Sequence, residues 1–237
     1  MRTYTFYSTL FTCFCAVPTS ASVIQISTTE CTFELQSHSL NILDGASPYL
    51  STADLATAHS YLNNWGITTD GKITILPVNT AEGLTFLTLV DEESGSGDSG
   101  SNAMLGITST ASASLGMFIN DAADDTWQLI QPPFGSQTLG ATFAWGSVGS
   151  GDGFAWTNMA LGDAVSYAFT DLDGDGGAID AEAFQFVGWD DAEGWGIVST
   201  NGFKTDGSSV FTGLVIPAPP AAMLLCVLAM NRRRRRH

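Results

Sequence analysis

Apolar residues recur at every second position along much of this 237-residue chain. The pattern is plain in Lys72–Val78 (KITILPV), Leu84–Val90 (LTFLTLV), Val165–Phe169 (VSYAF) and Phe184–Trp189 (FQFVGW). Successive side chains of an extended strand point to opposite faces, so a period of two specifies strands that turn one face to a core. Glycine, aspartate and serine break the pattern at short intervals, the punctuation of strands and turns. Further strands are expected at Val23–Ile26, Cys31–Leu35, Met104–Thr108, Leu115–Ile119, Trp127–Ile130, Leu139–Trp145, Phe154–Trp156 and Trp195–Ser199. One half-exposed sheet would leave so many apolar faces uncovered. The expected fold is therefore all-β, an antiparallel β-sandwich of jelly-roll type with two sheets packed face to face.

One segment has a different period. Ser51-Thr52-Ala53-Asp54 reads as a helix cap with a carboxylate in the first turn. Leu55, Ala58, Leu62 and Trp65 follow at helical spacing, and Gly66 supplies the stop. This single short helix is expected to cover a sheet edge or one end of the sandwich. The acidic, Gly- and Ser-rich run Asp91–Asn102 (DEESGSGDSGSN) reads as a surface loop.

Both ends of the chain depart from this body. Residues 1–22 run from a single charge, Arg2, through an apolar stretch (LFTCFCAV) to Pro18 and the small residues Ser20, Ala21 and Ser22. That is the order of a secretory signal peptide, an apolar signal helix ahead of a small-residue cleavage site. At the other end, residues 211–230 carry no charge, and Pro217, Pro219 and Pro220 leave only Ala221–Met230 as an uninterrupted, transmembrane-type helix. Arg232, Arg233, Arg234, Arg235 and Arg236 follow, positioned to hold that end on the cytoplasmic side. The expected division is a signal peptide over 1–22, a sandwich domain over 23–214 and a tail over 215–237.

The tail's order, a proline motif, a short apolar helix and an arginine cluster, resembles the PEP-CTERM sorting signal handled by exosortases in Gram-negative bacteria. Pro217-Ala218-Pro219 stands where that family has Pro-Glu-Pro, so this is a Pro-Ala-Pro version. The resemblance implies a signal peptidase and an exosortase as partners, with exopolysaccharide outside the cell. It also implies export, anchorage in the inner membrane during transit, and then a place at the cell surface or outside it.

Within 23–214 the only basic residues are Lys72 and Lys204, against all 24 acidic ones, a formal charge of 2 − 24 = −22. Such a surface repels phosphate backbones and excludes nucleic acid as a partner. Cys31 is the one cysteine between the two end segments and is expected to be a small buried hydrophobe, so burial alone must stabilise the domain.

The strongest local motif is Asp171-Leu172-Asp173-Gly174-Asp175-Gly176, continuing to Glu182. Alternate carboxylates, a glycine in sixth place and a glutamate in twelfth have the ligand spacing of an EF-hand calcium loop. The resemblance is confined to the loop: Gly177 and Ile179 depart from it, and the flanking residues alternate as strands rather than helices. A β-hairpin whose acidic tip holds Ca²⁺ through Asp171, Asp173 and Asp175, with Glu182, is one reading. A solvated Asp-Gly turn is the other. Gly97-Asp98-Ser99-Gly100 and His59 echo a serine protease but lie too close together for that architecture. His38 and His59, with one cysteine, are too few for a zinc site.

Trp127, Trp145, Trp156, Trp189 and Trp195, with Phe143, Phe154 and Tyr167, crowd the C-terminal half. Core packing accounts for most of them, and a sugar-stacking platform needs two or three exposed together. No catalytic residue is legible. The reading is a non-catalytic surface or extracellular-matrix protein that binds polysaccharide and calcium. The alternative is a secreted polysaccharide hydrolase whose carboxylate pair the sequence does not single out among the acids.

Overall fold

The computed structural model describes residues 22–43, 50–70, 72–90, 103–112, 117–119, 126–131, 135–145, 152–174, 184–200 and 210–217. Two sheets face one another. Sheet A has the order β2-β1-β14-β11-β6-β9-β8, with β1 Val23–Ser27, β2 Thr32–Gln36, β6 Ala103–Ala111, β8 Thr126–Ile130, β9 Gln137–Trp145, β11 Ala164–Gly174 and β14 Val210–Ile216. Sheet B runs β13-β12-β4-β5-β10-β7, with β4 Ile73–Thr80, β5 Gly83–Val90, β7 Met117–Ile119, β10 Asp152–Trp156, β12 Phe184–Asp190 and β13 Gly194–Ser199. A two-residue strand β3, His38–Ser39, also pairs with β4. Every strand expected from the alternation is present, and the all-β, two-sheet architecture with one helix is as expected.

Between the sheets lies an aromatic core. Phe143, Tyr167, Phe169 and Phe211 come from sheet A; Phe86, Phe154, Trp156, Phe184 and Phe186 come from sheet B, and all are 0–1 % exposed. Tyr167 and Phe211 stack at 4.4 Å between ring centres. Core packing thus claims Trp156, Phe143, Phe154 and Tyr167 from the aromatic residues weighed as a sugar platform. The side chain of Trp145 lies outside the described residues.

The structure corrects several sequence expectations. Pairing is antiparallel except at one edge of β4, where β12 (Phe184↔Ile73 to Phe186↔Ile75) and β3 (His38↔Val78, Ser39↔Asn79) both run parallel to it. Alternation specifies a face and not a partner, so strand direction was open in the sequence. Strand β14, between β1 and β11, was not among the expected strands; it straddles the expected boundary between domain and tail. It runs on to Ile216, past the 214 boundary, with Phe211 fully buried. Cys31 is half-buried in the β1–β2 turn, where its backbone N–H donates to Thr28 Oγ1 at 3.0 Å.

Helix α1, Thr52–Asn64, is built as the sequence dictates. Ser51 caps it in a capping box with Asp54, and Gly66 adopts φ +76 after its end. Its place differs from expectation: it covers the outer face of sheet B rather than an edge or end. Leu55, Ala58 and Leu62 join Leu76, Val78, Leu87, Leu89, Ala155 and Val187 in a second core. Strands β4 and β5 are consequently buried on both faces. At Gly153 an added Cβ would lie 2.7 Å from Thr88 O and 2.8 Å from Leu55 Cδ2, so helix and sheet meet closely there.

Asp54 ties the cap to the preceding chain. Its carboxylate accepts from Ser51 Oγ at 2.7 Å, Ser51 N at 3.0 Å and Leu43 N at 3.1 Å. Partial burial acts to raise its pKa, but these hydrogen bonds outweigh it and hold the group below its ordinary 3.8. A depressed value in the folded state gives stability that is present above the ordinary pKa and is lost as pH falls through the folded one. Ser51→Ala is expected to cost about 1 kcal/mol in urea unfolding at pH 7. Much of that difference should vanish as the pH is lowered from 3.8, where the wild type also loses its charged cap.

Candidate functional site

Strands β12 and β13 form a hairpin at the edge of sheet B, and its turn is held by one carboxylate. Asp190 Oδ1 accepts the N–H of Ala192 at 2.7 Å and of Glu193 at 3.0 Å, and Gly194 takes φ +87. Trp189 and Trp195 are direct cross-strand partners, their ring centres 5.8 Å apart. They share the outer face of the sheet with Val187, on the side of α1.

Two other elements bring three rings to this pair. The imidazole of His38, from β3, stacks on Trp189 at 3.7 Å and 8°. Trp65, just past the end of α1, stands edge-on to Trp189 at 5.6 Å, and Tyr61 approaches Trp195 at 6.5 Å. Trp65 is 44 % exposed and Trp195 only 4 %, with Trp189 and His38 between them. The cluster therefore has a buried base in Trp195, a half-buried middle in Trp189 and His38, and an open top in Trp65.

The other side of the hairpin borders a cleft of about 480 Å³ between the edges of the two sheets. Gly188, Gly194 and Gly196 line one wall with Ile197 and Val198; Val23, Glu34 and Gln36 line the opposite one. A Cβ on Gly188 would sit 3.5 Å from Leu35 Cα and from Gln36 N, so the missing side chain lets sheet B approach β2. Carboxylates stand on both walls, Glu34 on one and Asp190 and Glu193 on the other. Asp191 connects the two sides of the hairpin, accepting from Trp189 Nε1 at 3.1 Å and Gln36 Nε2 at 3.5 Å.

The predicted calcium ligands are placed in part. Asp171 and Asp173 belong to the end of β11, where the register against β6 shifts between Thr170 and Asp173 and the backbone of Asp173 pairs with Met104. Asp175 and Glu182 lie outside the described residues. The expected hairpin across this motif is not formed: β11 pairs with β6 and β14 in sheet A, whereas β12 pairs with β4 and β13 in sheet B. The acidic segment therefore links the two sheets. Flanking strands of period two do not reveal whether they pair with each other. Among the described residues no three His, Cys, Asp or Glu side chains gather to hold a metal.

Pro217 is exposed directly after β14, whose Ile216 pairs with Val23 on the cleft wall. Ala218, Pro219 and Arg232 to Arg236 lie outside the described residues, as does Ser99. No helix among the described residues is long and apolar enough to cross a membrane. His59 is buried on α1, with Nδ1 2.8 Å from Thr69 Oγ1. The ring cluster was missed in the sequence because His38, Tyr61 and Trp65 are remote from Trp189 along the chain. Its one local sign was a tryptophan on each side of the Asp190–Gly194 turn. The chain matches no known protein family, no curated protein and no solved structure.

A Cβ at Gly194 would overlap the Trp65 ring, and φ there is positive. Gly194→Ala is expected to displace Trp65 from Trp189 and to cost about 1–3 kcal/mol. Near-ultraviolet circular dichroism and thermal unfolding would register both effects; unchanged spectra would mean that Trp65 is not held there in solution.

Proposed function

We propose that this protein is a non-catalytic, exported cell-surface or extracellular-matrix protein that binds polysaccharide at the β12–β13 hairpin. The observation that carries the reading is the ring cluster, in which Trp65 is exposed and Trp189 half-buried over a packed base, beside a cleft supplied with polar groups. Flat apolar rings beside hydrogen-bonding side chains suit a sugar, which presents an apolar ring face and a rim of hydroxyls. A domain this acidic repels anionic polymers and favours a neutral one, or one bridged by a divalent cation.

In this reading a jelly-roll-like sandwich is carried between a signal helix and an apolar C-terminal helix. Signal peptidase removes the first and an exosortase acts near Pro217-Ala218-Pro219, passing the chain from the inner membrane to the cell surface or beyond. Calcium is held by Asp171, Asp173, Asp175 and Glu182. The secreted protein is expected to have the mass of a chain without residues 1–22 and without Arg232 to Arg236; a secreted mass that retains the arginines would sink the sorting proposal.

The binding proposal is tested by calorimetry of the full chain, in a non-glycosidic detergent, with neutral cello-, manno- and galacto-oligosaccharides in chelator and in Ca²⁺. Trp189→Ala is expected to weaken binding by at least about tenfold. Equal affinity of variant and wild type would remove the ring cluster from the site.

One observation favours a second reading, a polysaccharide hydrolase: Glu34 and Glu193 stand on opposite walls of the cleft. Release of reducing sugar that is lost in Glu34→Gln and in Glu193→Gln, with binding retained, would establish it in place of the first.

A further inference from the structure

The outer face of sheet A is uncovered among the described residues, and it is almost without charge. Its outward positions alternate with core residues such as Ile24, Ile107, Leu139, Val165 and Phe211. The strand registers align one row of hydroxyls across six successive strands: Thr32, Ser27, Thr212, Ser166, Thr110 and Thr138. Neighbouring hydroxyls meet at 3.2 Å between Ser166 and Thr212 and at 3.3 Å between Thr110 and Thr138. Adjacent rows add Gln25, Thr108, Gln128 and Thr142. Glu34 is the one charged residue in these rows, and Asp173, the register partner of Met104, stands beyond them at the end of the sheet, although a soluble surface ordinarily carries a charge at roughly one position in three or four.

We infer that this face is a docking surface for a neutral, hydroxyl-rich polysaccharide chain that continues out of the cleft. This rests on the polysaccharide reading above and extends it from the hairpin to the sheet. The two surfaces are continuous, because Val23, Glu34 and Gln36 belong to the face and also form a wall of the cleft. Serine and threonine hydroxyls both donate and accept, so such an array satisfies sugar hydroxyls in either chain direction. A face without ions can be covered by a neutral partner with no buried charge left unpaired.

A second copy of the chain fits less well. Seven strands spaced about 4.8 Å apart and five to eleven residues long present roughly 800 Å², about what one partner of a stable interface buries, so charge rather than area decides against it. Two copies would bring together chains each of formal charge −16.

The test is calorimetry of the full chain with neutral oligosaccharides from disaccharide to octasaccharide, for the wild type, Trp189→Ala, and the double variants Thr110→Glu/Thr212→Glu and Thr110→Val/Thr212→Val. The wild type is expected to gain at least about tenfold in affinity with ligand length. The glutamate pair should lose that gain while keeping its disaccharide affinity, and the valine pair, which keeps shape and neutrality, should lose part of it. Length-independent affinity in the wild type would overturn the extended face, as would full octasaccharide affinity in both threonine variants; Trp189-dependent disaccharide binding would then leave the hairpin site standing. Octasaccharide binding that is lost in the glutamate pair and indifferent to Trp189→Ala would keep the face and reject the hairpin. Absence of binding to every ligand would overturn both.

Discussion

Burial of sheet B on both faces is the constraint around which the rest of the structure is arranged. Strands β4 and β5 are buried from Ile73 to Val78 and from Leu84 to Val90, so neither has a face for water. One face meets sheet A across the aromatic core. The other needs a cover, and α1 with Leu40, Ile42, Leu43 and Leu50 provides it. The capping box and Gly66 are local devices, but they stabilise a helix whose place is set by this second core.

A sheet with two dry faces must satisfy its polar side chains internally. Trp156 Nε1 donates to Ser109 Oγ at 2.8 Å, and the Tyr167 hydroxyl lies 3.2 Å from Thr88 Oγ1. Each pair joins the two sheets through the core. Burial pushes the Tyr167 phenol well above its ordinary pKa, with hydrogen bonds from Thr88 and Ser109 opposing it, so it remains neutral and can donate. On the helix side, Gln185 Nε2 donates to Thr68 O at 2.8 Å and to Thr74 Oγ1 at 2.7 Å, fixing β12 beside β4 and the chain that leaves α1. These bonds help to position the parallel β12–β4 pair from which the β12–β13 hairpin extends.

The candidate site is a by-product of that arrangement. Because α1 lies on the outer face, its C-terminal end delivers Trp65 to the hairpin, and β3, pairing with β4, delivers His38. Glycines at 188 and 196 keep the other side of the hairpin thin enough to leave a cleft against β2. Sheet A has the opposite economy: one face joins the core, the other stays wet, and its outward residues are mostly hydroxyls and amides, with Leu214 and Ile130 exposed among them and few of the carboxylates abundant elsewhere in the chain.

The sequence alone determined all the strands but β3 and β14, where α1 begins and ends, that two sheets were needed, and that the chain between the end segments is strongly acidic. These follow from period, capping chemistry and composition, which act over a few residues or over none. Tertiary structure decided the rest. It turned β12 and β3 parallel to β4, drew Val210–Ile216 into sheet A, separated β11 from β12 into different sheets, and gathered five rings from remote segments. Alternation states which face of a strand is buried; it carries no information about the neighbour across the ladder, and pairing between distant strands is chosen by the packing of the whole core.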